Sequence, residues 1–142
     1  DEDHEYTLVG ISNWALDPAK MNRAVHLYRP APTVSDLSKT AEGMVNNAQL
    51  SGFLRKIARA YSTVYESQKQ QDFWGLREFY STVRHINRML AEEKGAELNA
   101  QVVMNAVQRN FGGKPNDMQK VLDVFYETMG ISRKGSKEDD VV

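Results

Sequence analysis

The chain has 142 residues, enough for about one domain with a core of its own. Lys and Arg number 18 and Asp and Glu 19, a formal net charge of −1, so there is no electrostatic case for a nucleic-acid or anionic-membrane partner. The absence of cysteine excludes a disulfide framework and a thiolate zinc site, and no apolar run reaches the roughly 18 residues that a spanning helix needs.

Residues 1–5 are acidic and read as loop. Residues 6–11 (YTLVGI) are short, apolar and rich in β-formers, which predicts a buried strand. Asp17-Pro18 then starts a short helix. Asp caps free N–H groups, and Pro is tolerated at the first helical position because its missing N–H had no partner there. That helix is expected to end near Arg23. Residues 24–28 (AVHLY) predict a second short strand, and Pro30 and Pro32 mark a linker. The chain begins at Asp1, without Met, in a sheet-like pattern, and reads as a piece of something larger.

From Ser35 onward the pattern is helical. Ser35 caps a helix expected to run to about Asn47. Ser51 starts a second, with Phe53, Leu54, Ile57, Ala58, Tyr61, Val64 and Tyr65 at spacings of three and four. Residues 68–72 form a polar break. Leu76, Phe79, Tyr80, Val83, Ile86 and Leu90 line a third helix, ended by Gly95. Leu98, Val102, Val103, Ala106 and Val107 line a fourth, closed by Gly112-Gly113. Asn116 and Gln119 resemble a capping box for a fifth, striped by Met118, Val121, Leu122, Phe125, Tyr126 and Met129 and stopped by Gly130. Residues 132–142 are charged, lack large apolar side chains and are expected to be disordered. The expected fold is mostly α: two short strands and a short helix, then a bundle of about five helices. Two strands alone are not independently stable, so they must pack on the bundle, pair with another copy, or have lost their sheet partners.

Three residues invite a chemical reading. Asn13 follows the first strand, and its amide can donate to a phosphate oxygen while accepting from water. The competing reading is a simple turn residue. Arg23 ends the short helix, and its planar, permanent charge suits phosphate better than Lys does. A surface Arg favoured by the helix dipole is the alternative. Arg77 opens the third helix of the bundle, where helix N–H groups also favour phosphate. Its alternative is an exposed Arg paired with an acid.

The order of strand, Asn13, capped helix and Arg23 resembles the second half of a AAA+ ATPase module. The wording of Ser12-Asn13-Trp14, of Leu16-Asp17-Pro18-Ala19-Lys20-Met21-Asn22-Arg23 and of Gly75-Leu76-Arg77-Glu78-Phe79-Tyr80 is most similar to the mysterin family. That family comprises giant AAA+ proteins that carry a RING finger and act as ubiquitin ligases. The resemblance implies that residues 1–32 end an α/β nucleotide-binding subdomain and that residues 33–131 form its helical lid, with 132–142 as a tail. It implies that Asn13 is the polar sensor that orients the attacking water. It makes Arg23 the arginine finger, which acts on a neighbouring subunit's site, and Arg77 the lid sensor on the chain's own nucleotide. The implied cofactors are ATP and Mg²⁺, in the complete module only. The implied partners are a neighbouring AAA+ module and, through other domains of the parent, ubiquitin and an E2 enzyme, in the cytoplasm. One departure stands out: many AAA+ proteins carry two Arg and a Gly here, whereas Arg23 stands alone and Arg29 is its nearest competitor.

Other motifs carry less. Gly112-Gly113-Lys114 is not a P-loop, because Gln108 and Pro115 stand where a Gly and a Ser or Thr are required. His4, His26 and His85 lack metal-ligand spacing. Arg55, Lys56 and Arg59 read as a solvated face. With no phosphate cradle and no magnesium-holding acid, the isolated chain is expected not to hydrolyse ATP. A non-catalytic helical scaffold remains the main rival reading, and a DNA-replication type AAA+ protein, which has a basic surface that this chain lacks, is a lesser one.

Overall fold

A computed structural model of the chain describes residues 5–70 and 73–133. These contain seven α-helices and one 3-10 turn, and no strand among the described residues. The chain divides into two units, Asp1–Ala31 and Pro32–Val142.

The first unit contains one helix, α1 (Pro18–Met21), with Asp17 as its cap. The two expected strands are corrected here. Residues 6–11 and 24–28 have no strand pairing among the described residues. Their large apolar side chains are exposed, from Tyr28 at 80% to Ile11 at 97%. The physical reason is that a strand is defined by its neighbours: apolar, β-branched residues favour the extended chain, but only a ladder makes it a strand.

The second unit is a helical bundle: α2 (Val34–Glu42), α3 (Ala48–Ser51), α4 (Leu54–Ser67), α5 (Leu76–Glu92), α6 (Ala100–Phe111) and α7 (Met118–Met129). α4 packs against both α2 and α7, while α6 packs against α5 and α7. The predicted stripes form the core: Leu54, Ile57, Phe79, Ile86, Val107 and Phe125 are all buried. Tyr126 Oη donates to the Ala100 carbonyl at 3.2 Å and ties α7 to the start of α6. Gln49 accepts from the Leu98 N–H at 3.0 Å and ties the α5–α6 connection to α3.

Several helix ends differ from the sequence expectation. Thr33, not Ser35, caps α2, in a reciprocal box with Asp36: Thr33 Oγ1 accepts from the Asp36 N–H and Asp36 accepts from the Thr33 N–H. Asn47 caps a separate short helix, α3, so the next long helix begins at Leu54 rather than Ser51. Asn99 caps α6 and shifts its start past Leu98. The Asn116–Gln119 box does not form: Pro115–Asp117 is a 3-10 turn, and Gln119 donates instead to Asp123 at 2.9 Å. Gly130 ends α7 in the left-handed region at φ 68°, where a glycine has no Cβ penalty. The expected disordered tail lies outside the described residues from position 134 onward.

Candidate functional site

In the first unit, Ser12 shapes the turn around Asn13. Its hydroxyl donates to the Trp14 carbonyl and accepts from the Trp14 N–H, both at 3.1 Å. Asn13 sits at the apex with its side chain in solvent. Asp17 then accepts from the Lys20 N–H at 3.0 Å and pairs with Lys20 Nζ at 3.3 Å, which fixes the first turn of α1. Arg23 comes just after Asn22, the C-cap of α1. Its N–H donates to the Lys20 carbonyl at 3.2 Å, so the turn continues two residues past the helix, and its side chain is exposed. Arg29 is exposed as well, in an extended segment. Asn13 and Arg23 thus flank α1, and both are exposed.

In the second unit, Arg77 is the second residue of α5 and is exposed. The helix start around it is built from three sides. Gln68, the residue that ends α4, accepts from the Trp74 N–H at 2.9 Å and donates through Nε2 to the Trp74 carbonyl at 3.0 Å. Glu78 accepts from the Gly75 N–H at 2.7 Å, half of a capping box closed without a side chain at the cap. Trp74 is buried, with its ring 5.8 Å from Phe111 at the end of α6. Lys114 Nζ lies 4.2 Å from the centroid of the Phe73 ring and 5.3 Å from that of Trp74. The helix start therefore offers phosphate fewer N–H groups than the sequence suggests, because Glu78 already occupies the cap.

The remaining charges sort themselves simply. Burial and the positive charges of Arg109 and Arg88 lower the pKa of His85, with Glu92 opposing them. Arg88 pairs with Glu92 at 3.6 Å in solvent. Lys56 rests over the Phe53 ring, and Arg55 and Arg59 are exposed. Among the described residues no group of three or more His, Asp or Glu could hold a metal, and no helix is long and apolar enough to cross a membrane. A shallow depression of about 300 Å³ between α5 and α6, lined by Glu93 to Glu97 with Asn99 and Val102, contains none of the candidate residues. Taken singly, an amide such as that of Asn13 and guanidinium groups such as those of Arg23 and Arg77 are of the kinds that suit phosphate oxygens. Sequence reasoning missed Gln68 and Lys114 as parts of this corner. Gln68 read as a break and Lys114 as the residue after a helix stop, and no local signal marks contacts made across several helices.

A family model described as the RNF213 AAA domain matches residues 1–36, the stretch that holds both Asn13 and Arg23. The chain is 41% identical over 131 residues to E3 ubiquitin-protein ligase RNF213 of Mus musculus, an alignment that covers 88% of this chain. The chain is a homologue of RNF213, or mysterin. Against RNF213 of Homo sapiens the identity is 38% over 82% of the chain. Against rnf213-beta of Danio rerio it is 34% over 88%. Coverage this broad reaches both units, so the homology to RNF213 extends from the matched AAA segment into the helical bundle. The chain spans only about 2–3% of the length of these relatives. No solved structure matches it.

Proposed function

We propose that the chain forms the second half of a AAA+ ATPase module of an RNF213-like ubiquitin ligase. Residues 1–32 end the α/β nucleotide-binding subdomain and residues 33–131 form its helical lid. The observation that carries this reading is the match of residues 1–36 to the RNF213 AAA domain, joined to homology that continues through the bundle. Phosphoryl transfer asks a protein mainly for positioning and for positive charge around a developing anion. Asn13 serves as the water-orienting sensor, Arg23 as the finger directed at a neighbouring module, and Arg77 as the lid group on the chain's own nucleotide. ATP and Mg²⁺ are held chiefly by the other half of the module, where the phosphate cradle and the magnesium-binding acid belong. The isolated chain is accordingly inactive, and ubiquitin transfer, with its E2 partner, belongs to other domains of a cytoplasmic parent.

One observation favours the rival reading of a scaffold module. Glu78 puts a carboxylate at the cap of α5, where like charge opposes a phosphate. The test is made in the complete parent protein, with ATP hydrolysis and ATP affinity measured for Asn13→Ala, Arg23→Ala and Arg77→Ala. The enzyme reading expects Asn13→Ala and Arg23→Ala to abolish hydrolysis and leave binding near normal, and Arg77→Ala to weaken binding. Unchanged rates and affinities in all three would establish the scaffold.

A further inference from the structure

We propose that Gln68 and Lys114 are positioning residues for Arg77: they clamp the segment that opens α5 and so set the direction of the Arg77 guanidinium. The functional meaning of this clamp rests on the reading of Arg77 as the lid group that contacts nucleotide; the clamp itself rests on geometry alone.

The start of α5 takes its direction from the contacts made by the segment just before it, Phe73 to Gly75. Gln68 holds that segment by a two-way bond to the Trp74 backbone, at 2.9 and 3.0 Å. A side-chain amide suits this, because the Trp74 N–H needs an acceptor and its carbonyl needs a donor, and one amide carries both. Lys114 holds the same segment through its side chains, with one ammonium over the rings of both Phe73 and Trp74. The contact is close at the backbone as well: a Cβ on Gly113 would lie 3.0 Å from Phe73 Cζ. Beneath them Phe111 supports the Trp74 ring. The Trp74 indole Nε1 is buried without a hydrogen-bond partner among the described residues. Leaving such a donor unpaired is costly. The ring is therefore held by its packing and its backbone, not by its own polar group. The ends of α4 and α6 thus meet on one segment, three residues from Arg77. A shift in the Gly113-Lys114 connection moves the opening turn of α5, and with it Arg77.

The test has two readouts. On the full 142-residue chain, amide hydrogen exchange is followed in Gln68→Glu, which keeps size and loses the donor, in Lys114→Met, which keeps length and loses charge, and in Lys114→Arg. We expect exchange at Glu78 and Phe79 to rise about tenfold in the first two, to return toward normal in Lys114→Arg, and to stay within about twofold at Phe125 in α7. In the complete parent protein, Lys114→Met is expected to weaken ATP binding several-fold, and to add nothing when Arg77→Ala is already present. Unchanged exchange, or an equal rise at Phe125, overturns the clamp, as does a Lys114→Met loss that adds fully to that of Arg77→Ala. If Arg77→Ala alone leaves ATP affinity unchanged while exchange rises locally, the nucleotide reading fails and the clamp stands as a mechanical element.

Discussion

Phe111→Ala is the perturbation that probes the corner of the bundle most directly. Phe111 is fully buried at the end of α6, with its ring 5.8 Å from Trp74 and 5.6 Å from Phe125. It joins α6 to α7 and supports the segment that opens α5. Truncating a buried Phe to Ala costs about 3–5 kcal/mol, transfer and cavity terms together. A domain of this size has only about 5–15 kcal/mol in total. Urea unfolding with an m-value of about 1.5 kcal/mol/M would then show a midpoint lowered by roughly 2 M or more. Phe111→Leu keeps much of the volume, and its cost of about 1–3 kcal/mol reflects the lost ring pairs and the residual gap. The natural reporter is Trp74. In a Trp14→Phe background it is the one remaining tryptophan, and it is only 5% exposed. Its emission should redden in Phe111→Ala before unfolding begins, because its ring support is gone. A comparison with Trp14→Ala closes the argument. Trp14 is 84% exposed, so its loss should change stability by no more than about 0.5 kcal/mol. A Phe111→Ala midpoint within about 0.5 M of the parent, or an unshifted Trp74 spectrum, would refute the packing described for this corner.

Gly130→Ala should cost about 1–2 kcal/mol, measured by thermal unfolding, because the residue has φ 68° with open space around it, so the backbone alone resists the change. Thr33→Ala removes the cap of α2 and one arm of its box, for an expected loss of about 1 kcal/mol in the same assay. His85 has a pKa lowered in the fold by burial and by Arg109 and Arg88. As pH falls below about 6.5 the unfolded chain takes up the proton before the folded one does, so stability declines on acidification through that window. His85→Asn should remove that part of the slope in denaturation curves collected between about pH 5 and 7.5, whereas an unaltered slope would show that His85 does not contribute.

The helices of the second unit were legible because their signals are local. Ile57, Ala58, Tyr61 and Val64 recur at the spacing of one helical face, and all four are buried in α4. Gly130 likewise announced the end of α7. The caps were harder to place, since Thr33, Ser35 and Asp36 all stand within one turn and only the reciprocal bond between Thr33 and Asp36 decides among them. Gln119 illustrates the same competition: a side chain suited to a capping box found Asp123 one turn ahead instead. The corner at Arg77 was legible only in part. Gly75 and Arg77 carry a local pattern, whereas Gln68, Phe73, Phe111 and Lys114 are brought together by the packing of α4, α5 and α6.

The two units differ in what holds their candidate residues in place, and this decides how each can be tested. A helix satisfies its own backbone, and a bundle of helices covers its own apolar faces, so the second unit carries within itself the contacts that aim Arg77. A strand satisfies its backbone only through another strand. The run of Leu8, Val9 and Ile11, exposed alongside Val25 and Leu27, has the composition of a sheet interior. An exposed apolar surface of that kind calls for a cover, and in an RNF213-like parent we assign that role to the rest of the nucleotide-binding sheet. The directions of Asn13 and Arg23 would be set by that sheet and by the seating of α1 upon it. Arg77 can therefore be studied through the dynamics of this chain alone. Under the proposed reading Asn13 and Arg23 act only where the sheet is complete, so hydrolysis and affinity in the complete parent protein are what test them.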